Sequence, residues 1–439
     1  MNGFLWTYVI ITLLVVAGFY FTFRLRFVQI RHFKEMFRLI VSSAGSKTKG
    51  NEISPFQAFC VSTASRVGVG NIAGIAIAIT TGGPGAIFWM WFIAVVGAAT
   101  GFVESTLGQI YKVPVTGKKG ETSFRGGPAY YLKYGLGYSA WAALFAVLIS
   151  VTYGMIYNSV QANTISLALN SAFGFDRTVM GIILAIASVA IICGGLGHIA
   201  RVTEWMVPLM AGVYILVALG IMIYHINLLP HVFAEILEDA FSFQAAAGGG
   251  MGAAVLTGFK RGLFSNEAGS GSAPCAAAAA EGNDPSRTGL IQALGVLIDT
   301  IVICSCTAMI MLLAPEELTS GLTGMDLLQT AMQYHLGYAG VIFIAVTLAL
   351  FSFSTFIGIL FYARSNVAYL FGNRWCYQTA YKVLALIMLF IGGLEQYTVV
   401  WDLGDVGIGL MTLFNIAVLY PMSKEALELL KQYEENKNL

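Results

Sequence analysis

The sequence predicts an all-α integral membrane protein of eleven transmembrane helices. Ten of them form two inverted repeats of five, behind one extra N-terminal helix. Three observations predict this. Of the 439 residues 57% are hydrophobic and 11% charged, with mean hydropathy +0.75, whereas soluble domains are about 25% charged. Apolar runs of about 20 residues, the length a helix needs to cross hydrocarbon, recur along the whole chain. Two of these runs carry glycine-rich polar interruptions at equivalent places in the two halves, a sequence pointer to a substrate site between repeats.

The spans read as roughly 4–24, 56–80, 85–111, 138–170, 178–196, 202–225, 244–274 (interrupted), 287–313, 338–363, 377–393 and 403–421. The first run lacks a basic stretch before it and is followed by Arg24, Arg26 and Arg31. It therefore reads as a retained span with its N-terminus outside, not a cleaved signal. The segments 24–49, 112–133, 197–201, 275–287, 364–376 and the C-terminal tail hold most of the 24 Lys and Arg. On the other side lie 81–84, 171–177, 226–243, 314–337 and 394–402, where Arg177 is the only Lys or Arg. That side carries Glu235, Glu238, Asp239, Glu316, Glu317 and Asp326. The positive-inside rule makes the basic side cytoplasmic. The chain thus reads as a multi-pass protein of the plasma (inner) membrane with its C-terminus inside. All of 1–439 is one transmembrane domain: extra helix 4–24, first repeat 56–225, second repeat 244–421, cytoplasmic tail 422–439. Segment 56–80 runs outward and 244–274 runs inward, as inverted repeats require.

Several function classes drop out. A net charge of +1 gives no reason for a nucleic-acid partner. The five histidines are scattered, and Cys60, Cys193, Cys275, Cys304, Cys306 and Cys376 show no zinc-type spacing. The cysteines read as small apolar packing residues. Ser270-Gly271-Ser272 is not a nucleophile elbow. Nothing marks an obligate protein partner; the lipid bilayer is the surroundings the composition demands.

The first interruption is Arg66-Val-Gly-Val-Gly-Asn-Ile-Ala-Gly74. Glycine costs about 0.8–1 kcal/mol against alanine in a helix interior, and lipid cannot satisfy an opened backbone turn. An opened turn at Val67–Gly70 offers the free N–H groups of the following half-helix to a carboxylate. The preceding half-helix ends in free carbonyls, which suit a hard cation, and Asn71 adds a neutral oxygen. Close helix packing is the competing reading, since Gly70 and Gly74 stand four apart. Arg66 either pairs with Glu104 or Glu267 or snorkels to the cytoplasmic interface.

The second interruption spans Gly262 to Pro274, within the polar run Lys260 to Pro274. Ala245 to Leu256 supplies a half-span before it, so a broken helix fits better than an ordinary loop. Ser352, Ser354 and Thr355 offer hydroxyls to a cation site, or simply bond back to i−4 carbonyls. Asp299 is a charge among Leu, Ile and Val that needs a partner or a gating role. Asn158 and Gln161 either face the same cavity or bond between helices.

Ser54-Pro-Phe-Gln-Ala, Val67-Gly-Val-Gly-Asn-Ile-Ala-Gly, Gly82-Gly-Pro-Gly-Ala-Ile-Phe-Trp-Met-Trp, Arg125-Gly-Gly-Pro-Ala-Tyr-Tyr and Phe259-Lys-Arg-Gly-Leu-Phe-Ser-Asn-Glu-Ala-Gly-Ser-Gly-Ser-Ala-Pro resemble the alanine or glycine:cation symporter family. The resemblance covers nearly the whole chain. It implies a LeuT-like fold and uptake of a small neutral amino acid with Na⁺ as coupling ion; H⁺ stays open. By similarity to the first core helix of LeuT-type symporters, the substrate carboxylate would meet the backbone of Val69 and Gly70. Asn71 and Gln161 would lie beside it, and Ile359 would face the substrate side chain. A Na⁺ would sit on carbonyls of Ala64, Val67 and Phe351 and hydroxyls of Ser354 and Thr355. The chain departs from the family pattern at Val69 (Thr expected), Ile359 (Trp expected), Ser270, Gly101 and Ala129. The expected function is Na⁺-coupled symport of a neutral amino acid, alanine, glycine or a larger one such as glutamine, by alternating access. The rivals are an amino-acid or ion channel and, behind it, a membrane-embedded enzyme.

Overall fold

A backbone in hydrocarbon must bond to itself, and helices do this within one segment. The computed structural model is accordingly almost entirely helical. It describes residues 2–44, 53–116, 122–192, 196–242, 250–282 and 284–437. Cys193 and 244–249, the start of the second interrupted segment, lie outside the described residues. Among the described residues the strands Val113–Thr116 and Thr122–Arg125 form one antiparallel hairpin, with Val113 opposite Arg125.

Nine helices among the described residues are long and apolar enough to cross a membrane. They are Leu5–Arg24, Pro55–Gly82 (with its break), Gly85–Ile110, Ser139–Phe173, Gly197–Tyr224, Pro285–Leu312, Tyr338–Phe371, Trp375–Leu394 and Tyr397–Lys437. Among the described residues the other two expected spans fall short of that length. Segment 178–196 is the helix Arg177–Ile192, and 244–274 is Gly250–Asn266 followed, after a break, by Ala273–Ala279.

Several boundaries differ from the sequence reading. The segment 364–376 is mostly helix, because Tyr338–Phe371 runs on for two more turns. Positions 422–437 are helical, continuing Tyr397–Lys437 through Pro421. The connecting segments also carry short helices, Phe33–Ala44, Leu229–Ala240 and Gly324–Leu336 among them.

Two packed groups emerge. In one, Gly85–Ile110 packs on Pro285–Leu297, on Gly250–Asn266 and on Ala273–Ala279, while Val69–Gly82 packs on Gly250–Asn266. In the other, Tyr338–Phe371 packs on Ser139–Val151 and Asn158–Phe173, and the latter packs on Trp375–Leu394. Tyr338–Phe371 also packs on Pro55–Arg66, so the first broken helix lies where the groups meet. Gly197–Tyr224 shows large apolar side chains outward, as Trp205, Leu216 and Ile223 illustrate. Pro55–Gly82 is by contrast almost wholly buried, the mark of a central helix.

Candidate functional site

The first broken helix starts with a capping box: Ser54 Oγ accepts from Gln57 N–H and Gln57 Oε1 accepts from Ser54 N–H, both at 3.0 Å. Its first half ends at Arg66, and only Val67 and Gly68 leave the helix. Val69 and Gly70, expected within the opened turn, belong instead to the second half, Val69–Gly82, with Asn71. The reason is capping. Asn71 Oδ1 accepts from Gly68 N–H at 3.0 Å and restarts the helix at once. That oxygen is therefore engaged by the backbone rather than offered to a ligand.

Gly68 is glycine because there is no room. A Cβ there would lie 2.2 Å from Thr355 Oγ1 and 3.1 Å from Gln161 Oε1. The Thr355 hydroxyl donates to Ala64 O at 2.9 Å and to Val67 O at 3.1 Å, the carbonyls freed by the break. One residue away, Ser354 Oγ donates to Phe351 O at 2.7 Å. Three carbonyl and two hydroxyl oxygens are thus supplied by five residues, a donor set that fits a hard cation. All five are fully buried or nearly so. Beside Gly68, Val69 N–H donates to Gln161 Oε1 at 3.3 Å. A side-chain oxygen takes the half-helix N–H that a carboxylate oxygen would take.

Gly70 is placed differently. A Cβ there would meet Phe264 Cδ1 at 3.2 Å and Ser265 Cα at 3.5 Å, so this glycine admits the second broken helix. Ile359 is fully buried one turn past Thr355. It follows Gly358, whose absent Cβ lets the helix approach Ser65 N. Asn158 makes a local bond, donating to Gly154 O at 2.6 Å.

The second break is narrower than expected. Helix continues to Asn266, so Lys260 to Asn266 is helical and the opened stretch is Glu267–Ser272. Glu267, Gly269 and Gly271 take left-handed φ values of 57°, 88° and 83°. The freed N–H groups of Gly269 and Gly271 donate to the Glu104 carboxylate at 3.1 and 3.0 Å, and Asn415 Nδ2 joins them at 2.8 Å. The Glu267 carboxylate accepts from Ser65 and Ser272 hydroxyls. Arg66 does not snorkel; it is 2% exposed. Nor does it pair with either glutamate. Its NH1 donates to Gln292 O at 3.4 Å, and Nε and NH2 have no hydrogen-bond partner.

Asp299 sits in a π-helical turn, Ile298–Cys304, the kind of helix fault often found at sites. It accepts from Asn71 Nδ2 at 2.7 Å and from Ser265 Oγ at 2.5 Å. One carboxylate so links the two broken helices, using neutral donors only.

A cluster absent from the sequence reading covers the first break on the side of Gly74. Tyr157, Phe264 and Trp401 stack, with centroids 4.6 and 4.8 Å apart. Arg261 lies 5.0 Å from the Trp401 ring and holds Asp405 through NH2 at 2.5 and 2.6 Å. Lys260 reaches the same carboxylate at 2.5 Å. The available signal was charge: two adjacent cations in an apolar helix require a remote acid.

The sequence profile of the sodium:alanine symporter family matches residues 1–439. The "Probable sodium/glutamine symporter GlnT" of Bacillus subtilis is 48% identical over 99% of this chain and 90% of its own length. The "Amino-acid carrier protein AlsT" of the same organism is 44% identical over 99% and 91%. The "Sodium/alanine symporter AgcS" of Methanococcus maripaludis is 35% identical over 99% and 96%. Among solved structures, MhsT in complex with L-phenylalanine matches in fold, with TM-score 0.61 and 17% identity over 87% of this chain and 90% of that one. The chain belongs to the sodium:alanine symporter family, a family of sodium-coupled amino-acid transporters and not of enzymes.

Proposed function

We propose that the substrate is a neutral amino acid of up to glutamine size, bound at the first break and carried inward with Na⁺. One observation carries this: Thr355 Oγ1 rests on the carbonyls of Ala64 and Val67 while Gln161 Oε1 rests on Val69 N–H. The Thr355 hydroxyl and the Gln161 amide oxygen so meet at the space a Gly68 side chain would fill. The cation would sit among Ala64, Val67, Phe351, Ser354 and Thr355. The carboxylate would displace Gln161 from Val69 N–H and use the half-helix N-terminus at Val69 and Gly70.

Coupling follows from placement. The cation ligands come from both packed groups, the first broken helix and Tyr338–Phe371. A bound cation favours the arrangement in which those groups touch, and its release favours the other; a ligand shifts an equilibrium only by such differential binding. The Tyr157–Phe264–Trp401 stack and the Arg261–Asp405 pair close the side of Gly74. Glu104 and Glu267 tie down the second break. The name of GlnT, together with Ile359 where the family pattern carries Trp, favours glutamine over alanine and glycine.

The eleven-span count, the 5+5 inverted repeat (56–225 and 244–421) and the N-outside, C-inside orientation in the plasma membrane complete the reading. A proton reading would rest on Asp299, buried with neutral donors only. Counterflow of labelled glutamine from proteoliposomes, competed by each of the twenty amino acids with and without Na⁺, tests the substrate and the ion together. Saturable, Na⁺-dependent exchange with glutamine among the best competitors is expected; exchange equal in Na⁺ and in K⁺ at neutral pH would overturn it. Impermeant labelling of single cysteines at Glu238 and Glu435 tests orientation: only the first should react from outside.

A further inference from the structure

The first helix ends beside the final turns of the last helix, away from the transport site. Between Arg24–Arg31 and Lys424–Glu434 lies a cavity of about 320 Å³. Arg24, Arg26, Arg31, Lys424 and Lys431 line it, against the carboxylates of Glu428 and Glu434. These carboxylates do not neutralise it. Glu434 is held by Arg31 and His32, each at 2.8 Å. Glu428 is 3.7 Å from Lys424 and Glu435 is 3.6 Å from Lys431, both exposed pairs of little strength. Arg31 is committed to the turn, since its Nε donates to Arg26 O at 2.7 Å. Arg24 and Arg26, together with Lys424 and Lys431 in their weak exposed pairs, therefore leave a positive excess around an open space.

The depth of the cavity in the bilayer is marked by aromatic rings. Tyr20 and Tyr420 lie 5.0 Å apart on the two helices, one turn from Arg24 and Lys424, where interfacial tyrosines belong. Arg24 stands 5.9 Å from the Tyr20 ring. Phe23, Phe27 and Ile30 are exposed beside it, an apolar border that faces acyl chains. The backbone here is strained: Arg26 and Phe27, neither a glycine, both take left-handed φ values of 52° and 58°. That turn sends the chain out of the first helix and sets Arg26 at the cavity.

We propose that this cavity holds the headgroup phosphate of an anionic phospholipid, clamped between the ends of the first and last helices. Basic pockets between helix ends at the membrane surface bind anionic headgroups in this way. The bound lipid fastens the extra N-terminal helix, which lies outside both repeats, to the last helix.

The test uses the full chain in neutral detergent, with phosphatidylglycerol, phosphatidylcholine of equal chain length, or inorganic phosphate added. Native mass spectrometry reads retained lipid and a thermal shift reads stabilisation. Phosphatidylglycerol should be retained and should raise the melting temperature; the other two should not. Lys424→Gln and Lys431→Gln, at positions about four-fifths exposed and so tolerant of change, should each weaken phosphatidylglycerol about fivefold. Arg26→Gln combined with both should abolish the shift. Equal effects of phosphatidylcholine, or wild-type lipid affinity in both lysine variants, would overturn the proposal. A full shift with inorganic phosphate alone would overturn the lipid as occupant.

Discussion

Gly68→Ala places a single methyl group at the centre of the proposed site. Its carbon would stand 2.2 Å from Thr355 Oγ1 and 3.0 Å from Thr355 Cβ. Carbon and oxygen do not share that distance, so the hydroxyl must retreat by roughly 1 Å. It then leaves Ala64 O and Val67 O, its partners at 2.9 and 3.1 Å. If that oxygen is a cation ligand, its loss resembles the loss of a hydrogen bond to a charged group, about 1.5–3 kcal/mol. This converts to a ~10–150-fold rise in the Na⁺ needed for half-maximal uptake. Initial rates of labelled glutamine uptake into proteoliposomes at graded Na⁺ read the value directly. Thr355→Ala removes the same oxygen without the clash, so the double variant should be no worse than the worse single one; contacts that share a partner are not additive. A Na⁺ dependence unchanged in both single variants would refute the reasoning, as would multiplicative effects in the double one.

Gly70→Val should abolish substrate binding while the protein still reaches the membrane, because its methyls must push Phe264 off Tyr157 and Trp401; wild-type affinity by equilibrium binding would show that the stack is not needed. Ile359→Trp should shift preference toward alanine and glycine by about 5–150-fold, the worth of about 1–3 kcal/mol of pocket size; an unchanged ranking in competition assays would remove Ile359 from the pocket. Asp405→Asn leaves Arg261 and Lys260 facing a neutral group. Breaking a buried ion pair costs about 3–5 kcal/mol, so thermal unfolding in detergent should come clearly earlier, and an unshifted transition would mean that the pair carries no stability.

The first break was legible because glycine and asparagine are poor residues for a membrane helix, and a sequence exposes such a misfit without any partner being known. Thr355 was legible as a candidate hydroxyl, but its partner carbonyls only through resemblance. Its hydroxyl meets Ala64 and Val67 across 291 and 288 positions, a separation that hydrophobic periodicity does not reach. The aromatic cover was missed for a related reason. Tyr157, Phe264 and Trp401 each read as ordinary apolar residues, and nothing local says that three helices aim them at one point. Lys260 and Arg261 stand out in the polar run, but their acid does not, since Asp405 lies 144 positions beyond Arg261. Asn71 was assigned an oxygen for the ligand, whereas the cost of an open helix end recruits that oxygen to Gly68 N–H.

The central claim is that one broken helix binds cation and amino acid together, and reciprocal linkage tests it most directly. Amino-acid affinity measured on the purified protein at zero and saturating Na⁺ gives one coupling factor. Na⁺ affinity measured at zero and saturating amino acid gives another. Binding linkage requires the two to be equal. A shared site at Gly68 predicts a factor of about 5–150, the usual range of coupling, and predicts that Thr355→Ala collapses it. Glutamine or alanine binding with the same affinity in Na⁺ and in K⁺ would contradict the account.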